Sequence, residues 1–259
     1  MRLGSFEVMR NRGRIAVLMT CHNRRDLTLQ CLRLLMPQLK PDDKVFLVND
    51  GSADGTAAAV AKDYSEVRII EGNGTLYWAK GMRRAWEAAV AERSDWDGYF
   101  WLNDDTVLND DAIQKLLAAN DGDRIVVGDL VNSKGDVVYG LREEGLFTGN
   151  CVLVSRKVYD RLGMLCGDYS HAWADSDYAM MAKRAGIEVV SAGVVGKAEG
   201  HPNRPSLKGV SLRGRIGMLR NPKGWNLHDL WLYRRRNWGL SAAVSSCLHM
   251  IVHVIVGEK

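Results

Sequence analysis

The chain reads as an α/β domain with a doubly wound, mostly parallel sheet flanked by helices, followed by a C-terminal helical tail. Three observations predict this class. Apolar runs of strand length alternate with helix-length segments at βαβ spacing over the first hundred residues. Three of the connecting loops carry Asn23, Asp50 and Asp105 after a strand, where ligands of such sheets sit. The 259 residues, 46% hydrophobic and 25% charged, suit a globular chain with ample core.

Taken in order, residues 14–20 (RIAVLMT) are a continuous apolar strand, and residues 21–25 a polar loop. Asp26 is placed to cap a helix running to about Leu35, with Pro37 near its end. Residues 44–48 form a second strand, closed by the turn 49–55, and the Ala-rich 56–62 a second helix. A third strand, 67–70, leads through Gly72-Asn73-Gly74 to a helix over 78–92, and residues 98–102 form the fourth strand. The pattern then changes. Residues 125–131 and 137–141 flank Asn132-Ser133-Lys134-Gly135 as a hairpin, 151–154 is a strand and 156–162 a short helix. Residues 174–185 read as a helix opened by acidic residues, and 187–190 as a strand. Gly, Pro and basic residues from 196 to 224 indicate a long loop. Residues 227–238 look helical, and 240–256 are apolar but interrupted by three Ser and two His. The expected division is an N-terminal extension at 1–13, a main domain at 14–201, and a basic loop with helical tail at 202–259.

Five scattered cysteines without a CxxC pair argue for reduced thiols in a cytoplasm, and against a zinc site or disulfide framework. The first residues lack the apolar stretch of a signal peptide. Charge is uneven. From Lys197 onward there are 11 Lys and Arg against 3 Asp and Glu, while the preceding part has 24 against 28. A basic tail with grouped Arg and aromatic residues suits phosphates, of a substrate or of anionic lipid. The 240–256 segment is too short and polar for a membrane span. It suits either a peripheral contact with the inner leaflet or a helix packed on the domain or on a dimer partner. No nucleic-acid partner is expected.

The sharpest motif is YFWLNDDTVL, residues 99–108. A buried strand ending in adjacent carboxylates is costly unless something compensates the charge. Mg²⁺ or Mn²⁺ bridged to a substrate phosphate would do so; a solvated turn capping the next helix is the plain alternative. A haloacid-type phosphatase also places Asp-x-Asp after a strand, but Asn103 cannot form an aspartyl-phosphate. No GxGxxG follows the first strand and no GxxxxGK[ST] occurs, so dinucleotide and P-loop chemistry lack support.

Together these residues resemble the family-2 glycosyltransferases of the GT-A fold, from about Arg14 to His201. VNDGSADGT (48–56) is similar to that family's second-strand turn, and LNDDT (102–106) to its metal-binding Asp-x-Asp in the rhamnosyltransferase-like branch. The resemblance implies a metal-dependent, inverting transfer of a sugar from a nucleotide donor, UDP- or dTDP-linked, to a saccharide or polyprenyl-linked acceptor in surface-polysaccharide assembly. It implies donor contacts from Thr20, Asn23, Asp50, Asn73, Trp78, Asn103 and Asp104, with Asp105 and His201 on the metal. In Trp173-Ala174-Asp175-Ser176-Asp177 the family's Glu-Asp-x-Asp places Asp175 as general base and Asp177 as a supporting carboxylate, with Ala174 where Glu is usual. Capping of a helix N-terminus is the alternative for these acids. Trp173 suits either an acceptor sugar face or the core. Arg234 and Arg236, in an RRN sequence, suit diphosphate or lipid phosphates. Two rivals remain: a nucleotidyltransferase, which lacks its Gly-rich first loop here, and a non-catalytic nucleotide-sugar-binding protein, which Ala174 favours.

Overall fold

The computed structural model describes residues 13–198 and 205–257. Its strands are β1 (Ile15–Cys21), β2 (Lys44–Asn49), β3 (Arg68–Glu71), β4 (Gly98–Leu102), β5 (Val107–Leu108), β6 (Arg124–Val131), β7 (Val137–Tyr139), β8 (Cys151–Ser155) and β9 (Glu188–Lys197). Between them run helices α1 (Arg25–Leu35), α2 (Thr56–Asp63), α3 (Tyr77–Glu92), α4 (Ala112–Ala118), α5 (Arg156–Leu162) and α6 (Ala174–Arg184). After β9 come α7 (Leu212–Met218), α8 (Leu227–Trp238) and α9 (Leu240–Val256).

All nine strands join one sheet in the order β3-β2-β1-β4-β8-β6-β9-β5, with β7 paired to β6. The β3-β2-β1-β4 half is wholly parallel, as crossover helices require. β8 then enters antiparallel between β4 and β6, while β9 runs parallel to β6. The alternation of the strand backbone sorts side chains into two layers. Leu18, Val48, Tyr99 and Trp101 face α3 and α6, whereas Val17, Leu47, Phe100 and Leu102 face α1, α2 and α4. Helix α3 forms because Ala79, Met82, Ala85, Trp86 and Ala89 recur at helical spacing and are all fully buried on that first layer.

Three local expectations are corrected. Asp26 lies inside the first turn of α1 and caps nothing; the Arg25 amide is instead held at 2.9 Å by Asp54 from the loop after β2. Strand β9 continues to Lys197, its pairing with β6 interrupted by register shifts on either side of Asp129 and its own chain turned at Gly193, with φ of 74°. Such a bulge lets Gly interrupt a strand without ending it. The basic segment after residue 204 contains α7, whose Ser211 hydroxyl accepts from the Gly214 amide at 3.2 Å.

The C-terminal helices are built into the domain. Tyr233 of α8 belongs to the same core as Trp86 and Trp101. Asp229, fully buried, accepts from the backbone amides of Ser170, His171 and Ala172 at 3.0–3.3 Å. No described helix is long and apolar enough to cross a membrane.

Candidate active site

Because β1, β2 and β4 are parallel, the loops that follow them leave the same edge of the sheet. The β1 and β2 loops are tied together. Asn23, at φ of 52°, donates from its amide to the Ser52 hydroxyl at 2.9 Å and accepts from the Ala53 amide at 2.7 Å. His22 Nδ1 lies 2.5 Å from the Asp50 carbonyl and its Nε2 3.1 Å from Asn23 Nδ2. A carbonyl only accepts, so Nδ1 carries the proton and Nε2 receives one from Asn23.

Asp50 is only 3% exposed. One oxygen accepts from the Gly74 amide at 2.8 Å, the other from Leu76 and Tyr77 at 2.9 Å each. Its carboxylate thus pins the segment that opens α3. Asn73 shapes the same segment by accepting from the Thr75 amide and hydroxyl, at 3.1 and 2.7 Å. Thr20 ends β1 against α3, so closely that a Cβ on Gly81 would fall 2.4 Å from its hydroxyl oxygen.

At the end of β4 the three polar residues diverge. The Asn103 side-chain oxygen accepts from the Trp78 indole at 2.8 Å, which leaves its amide hydrogens facing away from Trp78 as donors. Asp104 is 4% exposed and turned toward α1, taking Thr28 and Arg24 at 3.4 and 3.2 Å. Burial pushes its carboxyl up to about 7, against the opposing charge of Arg24. This inward position gives Asp104 structural partners in Arg24 and Thr28. Asp105 remains partly accessible, with one oxygen 2.7 Å from the same Arg24 nitrogen. Arg24 therefore compensates both carboxylates. Nothing in the sequence singles out Arg24, because Arg25 stands beside it and its two acids lie 80 and 81 residues away.

Asp175, half-buried at the start of α6, accepts from the Gly149 amide at 3.0 Å and from the Ser176 amide at 2.7 Å. Burial raises its pKa, and the two amides partly offset that rise. Gly149 is the joint between the two halves of the site. A Cβ there would lie 2.5 Å from the Trp78 ring and 3.3 Å from the Asp175 Cβ, and the next carbonyl, of Asn150, accepts from the Asn103 amide at 2.9 Å. Trp78, Asn103, Gly149 and Asp175 thus form one contiguous wall.

The remaining expected site residues have other partners. Asp177 is fully buried and takes Arg236 at 2.9 Å and Asn237 at 2.8 Å, locking α8 onto α6. A buried carboxylate needs such pairing; the Arg236 side chain that supplies it is itself 37% exposed. Arg234 stacks over Trp238, 4.9 Å from its ring centre. Trp173 stacks on Tyr233 at 4.6 Å and 19°. His201 lies outside the described residues. Among the described residues no group of three or more His, Cys, Asp and Glu converges as a metal site.

A mostly parallel α/β sheet, with an acidic strand-end motif joined through Gly149 and Asn150 to a carboxylate on a later helix, has the GT-A architecture. The chain matches the model of glycosyl transferase family 2 over residues 16–186, and it belongs to that family. A search of curated protein sequences finds no match. Among solved structures it is similar to the mannosyltransferase PcManGT from Pyrobaculum calidifontis in complex with GDP-Man and Mn²⁺. The TM-score is 0.59 at 17% identity, over 95% of this chain and 71% of that one. Glucosyl-3-phosphoglycerate synthase from Mycobacterium tuberculosis, in complex with Mn²⁺, UDP-Glc and glycerol 3-phosphate, gives 0.56 at 14% identity, over 92% and 84%. The same enzyme in complex with UDP gives 0.53 at 16% identity, over 79% and 78%. At such identities the likeness concerns the fold.

Proposed function

We propose that this chain is a metal-dependent, inverting glycosyltransferase. It would move a sugar from a nucleoside-diphosphate donor to a saccharide or lipid-linked saccharide in surface-polysaccharide assembly. The observation that carries the reading is the wall in which Trp78 and Gly149–Asn150 join Asp175 of α6 to Asn103, just after β4. The raised pKa of Asp175 suits a general base. Its carboxylate takes the proton of an acceptor hydroxyl as that oxygen bonds the anomeric carbon and the bond to the diphosphate breaks on the opposite face. The outward amide of Asn103, with Thr20, Asn23, Asp50, Asn73 and Trp78 shaping the neighbouring loops, lines the donor side. The LNDDT motif favours the rhamnosyltransferase-like branch and hence a uridine or thymidine base.

The oxygen donors at Asp105 fit a hard cation such as Mg²⁺ or Mn²⁺. Of the two acids in the strand-end motif, Asp105 is the accessible one, with 21% of its side chain exposed against 6% for Asp104, so diphosphate, water and His201 would complete the shell, and Arg24 would release the carboxylate. Such an ion neutralises charge developing on the leaving diphosphate.

Release of nucleoside diphosphate from a panel of nucleotide sugars with Mn²⁺ or Mg²⁺ tests the reading. Asp175→Asn should cut transfer roughly 10²–10⁴-fold while nucleotide affinity stays. Full transfer by that variant would remove Asp175 from its role.

The tail supports a peripheral membrane contact. Leu240, Val244, Leu248, Val252 and Val256 recur every fourth residue along α9, each more than 40% exposed, beside the basic tail. Co-sedimentation with anionic vesicles should fall on Leu248→Glu with Val252→Glu; unchanged binding would reject the contact.

A further inference from the structure

We propose that the cavity between α8 and α9 binds a sugar ring of the acceptor. The inference rests on the glycosyltransferase reading and deepens it by giving the acceptor a place of its own. The cavity holds about 690 Å³, within the roughly 300–1,000 Å³ of small-molecule sites. Its apolar walls are mostly aromatic, Trp173, Trp225, Tyr233 and Trp238, with Leu230 and Met250 beside them. Between them stand the polar groups of Arg234, Ser245, Ser246, His249 and His253.

That mixture matches a pyranose. Its C–H faces pack on rings, and its hydroxyls need donors and acceptors at the edges. An isoprenoid chain would instead leave hydroxyl and imidazole groups dehydrated without partners, which is costly. The rings are already ordered: Trp173 on Tyr233, Tyr233 edge-on to Trp238 at 5.3 Å and 77°, and Arg234 over Trp238. Trp225 is fixed by its indole, which donates to the Pro205 carbonyl at 3.1 Å.

Trp173 connects this cavity to the chemistry. It is a cavity wall and also the residue that opens α6, two positions before Asp175. Its φ of 73° is a left-handed conformation that a bulky side chain rarely adopts. Such strain persists where the surroundings over-determine it, and it concentrates at ligand sites. Every other wall residue lies beyond 186, where the family match ends.

Saturation-transfer NMR on the full chain tests this. The probes are methyl glycosides of disaccharides of glucose, galactose, mannose and N-acetylglucosamine, with farnesyl phosphate as the isoprenoid control. At least one disaccharide should show transfer to its ring protons. The signal should fall roughly tenfold in Trp238→Ala, which removes an exposed ring, and in Ser246→Phe, which fills the cavity. Thermal unfolding checks that both variants fold. Binding of farnesyl phosphate alone, no binding of any disaccharide, or signals unchanged in both folded variants would overturn the proposal. Nucleotide release from donor without acceptor, measured on the same wild-type sample, separates the two readings. Release without disaccharide binding sinks the cavity assignment alone, whereas disaccharide binding without release from any donor sinks the enzymatic reading.

Discussion

Replacing Gly149 with Ala is the smallest change that should disable the site. The φ of Gly149 lies outside the left-handed region, so the backbone itself accepts Ala. The obstacle is contact. The new methyl would sit 2.5 Å from Cζ2 and Cη2 of Trp78, and carbon atoms settle at about 3.5–4.0 Å. The indole therefore has to retreat by about 1 Å. Trp101 stands edge-on behind it, with ring centres 6.2 Å apart, and limits that movement. Retreat stretches the 2.8 Å bond to Asn103 and shifts the wall against which Asp175 is placed. Overpacking of this kind costs about 1–3 kcal/mol of stability, and a misplacement of about 1 Å costs roughly 10²-fold in rate. Steady-state transfer kinetics read the second effect and urea unfolding the first. Gly217→Ala serves as control, because a Cβ there meets nothing within 4 Å. Transfer by Gly149→Ala within twofold of wild type would refute the joint.

Two further outcomes follow from charges near the site. Arg24→Gln leaves the buried Asp104 and its neighbour Asp105 without their shared cation. A fully buried pair broken this way costs about 3–5 kcal/mol; with the Arg24 side chain 38% exposed, about 1–2 is expected in urea unfolding. Mn²⁺ should raise the melting temperature more in this variant than in wild type, since no cation competes for Asp105. Equal shifts would refute the competition. His171 is held down to about 4 from the usual 6.5 by burial, with Lys223 adding to the effect and Asp229 opposing it. The folded state then binds fewer protons than the unfolded chain between those values, so stability falls as pH drops from 6.5 to 4, by up to about 3 kcal/mol. His171→Phe should flatten that part of the stability curve; an unchanged slope would exonerate the imidazole.

The strands and acidic loops were legible because a sheet buried between two helical layers demands continuous apolar runs, as in RIAVLMT and GYFWL, and polar residues then mark where each strand ends. Partners across the fold were not. The amide of Arg25 is capped from the next loop by Asp54, and no local pattern announces a cap supplied from 29 residues away. Asp177 read as a carboxylate supporting the base and Arg236 as a phosphate contact, and nothing in either segment announced that the two pair with each other across 59 residues. The contacts that Asp229, Tyr233 and Arg236 make with residues before 201 were likewise invisible, because each pairs residues more than 50 positions apart.

These pairings share one device. Asp50 gathers three backbone amides and fixes the start of α3; Asp229 gathers three and fixes the segment before α6. Each carboxylate replaces lost water with several N–H donors, which is how a buried charge becomes tolerable. Between the two pinned segments lie Trp78 on one side and Trp173 with Asp175 on the other. The acidic residues clustered at this edge therefore divide by accessibility rather than by motif. Those saturated by amides or paired with an arginine set the loops in place. Asp105 and Asp175 are partly exposed, which suits the metal and general-base roles proposed for them.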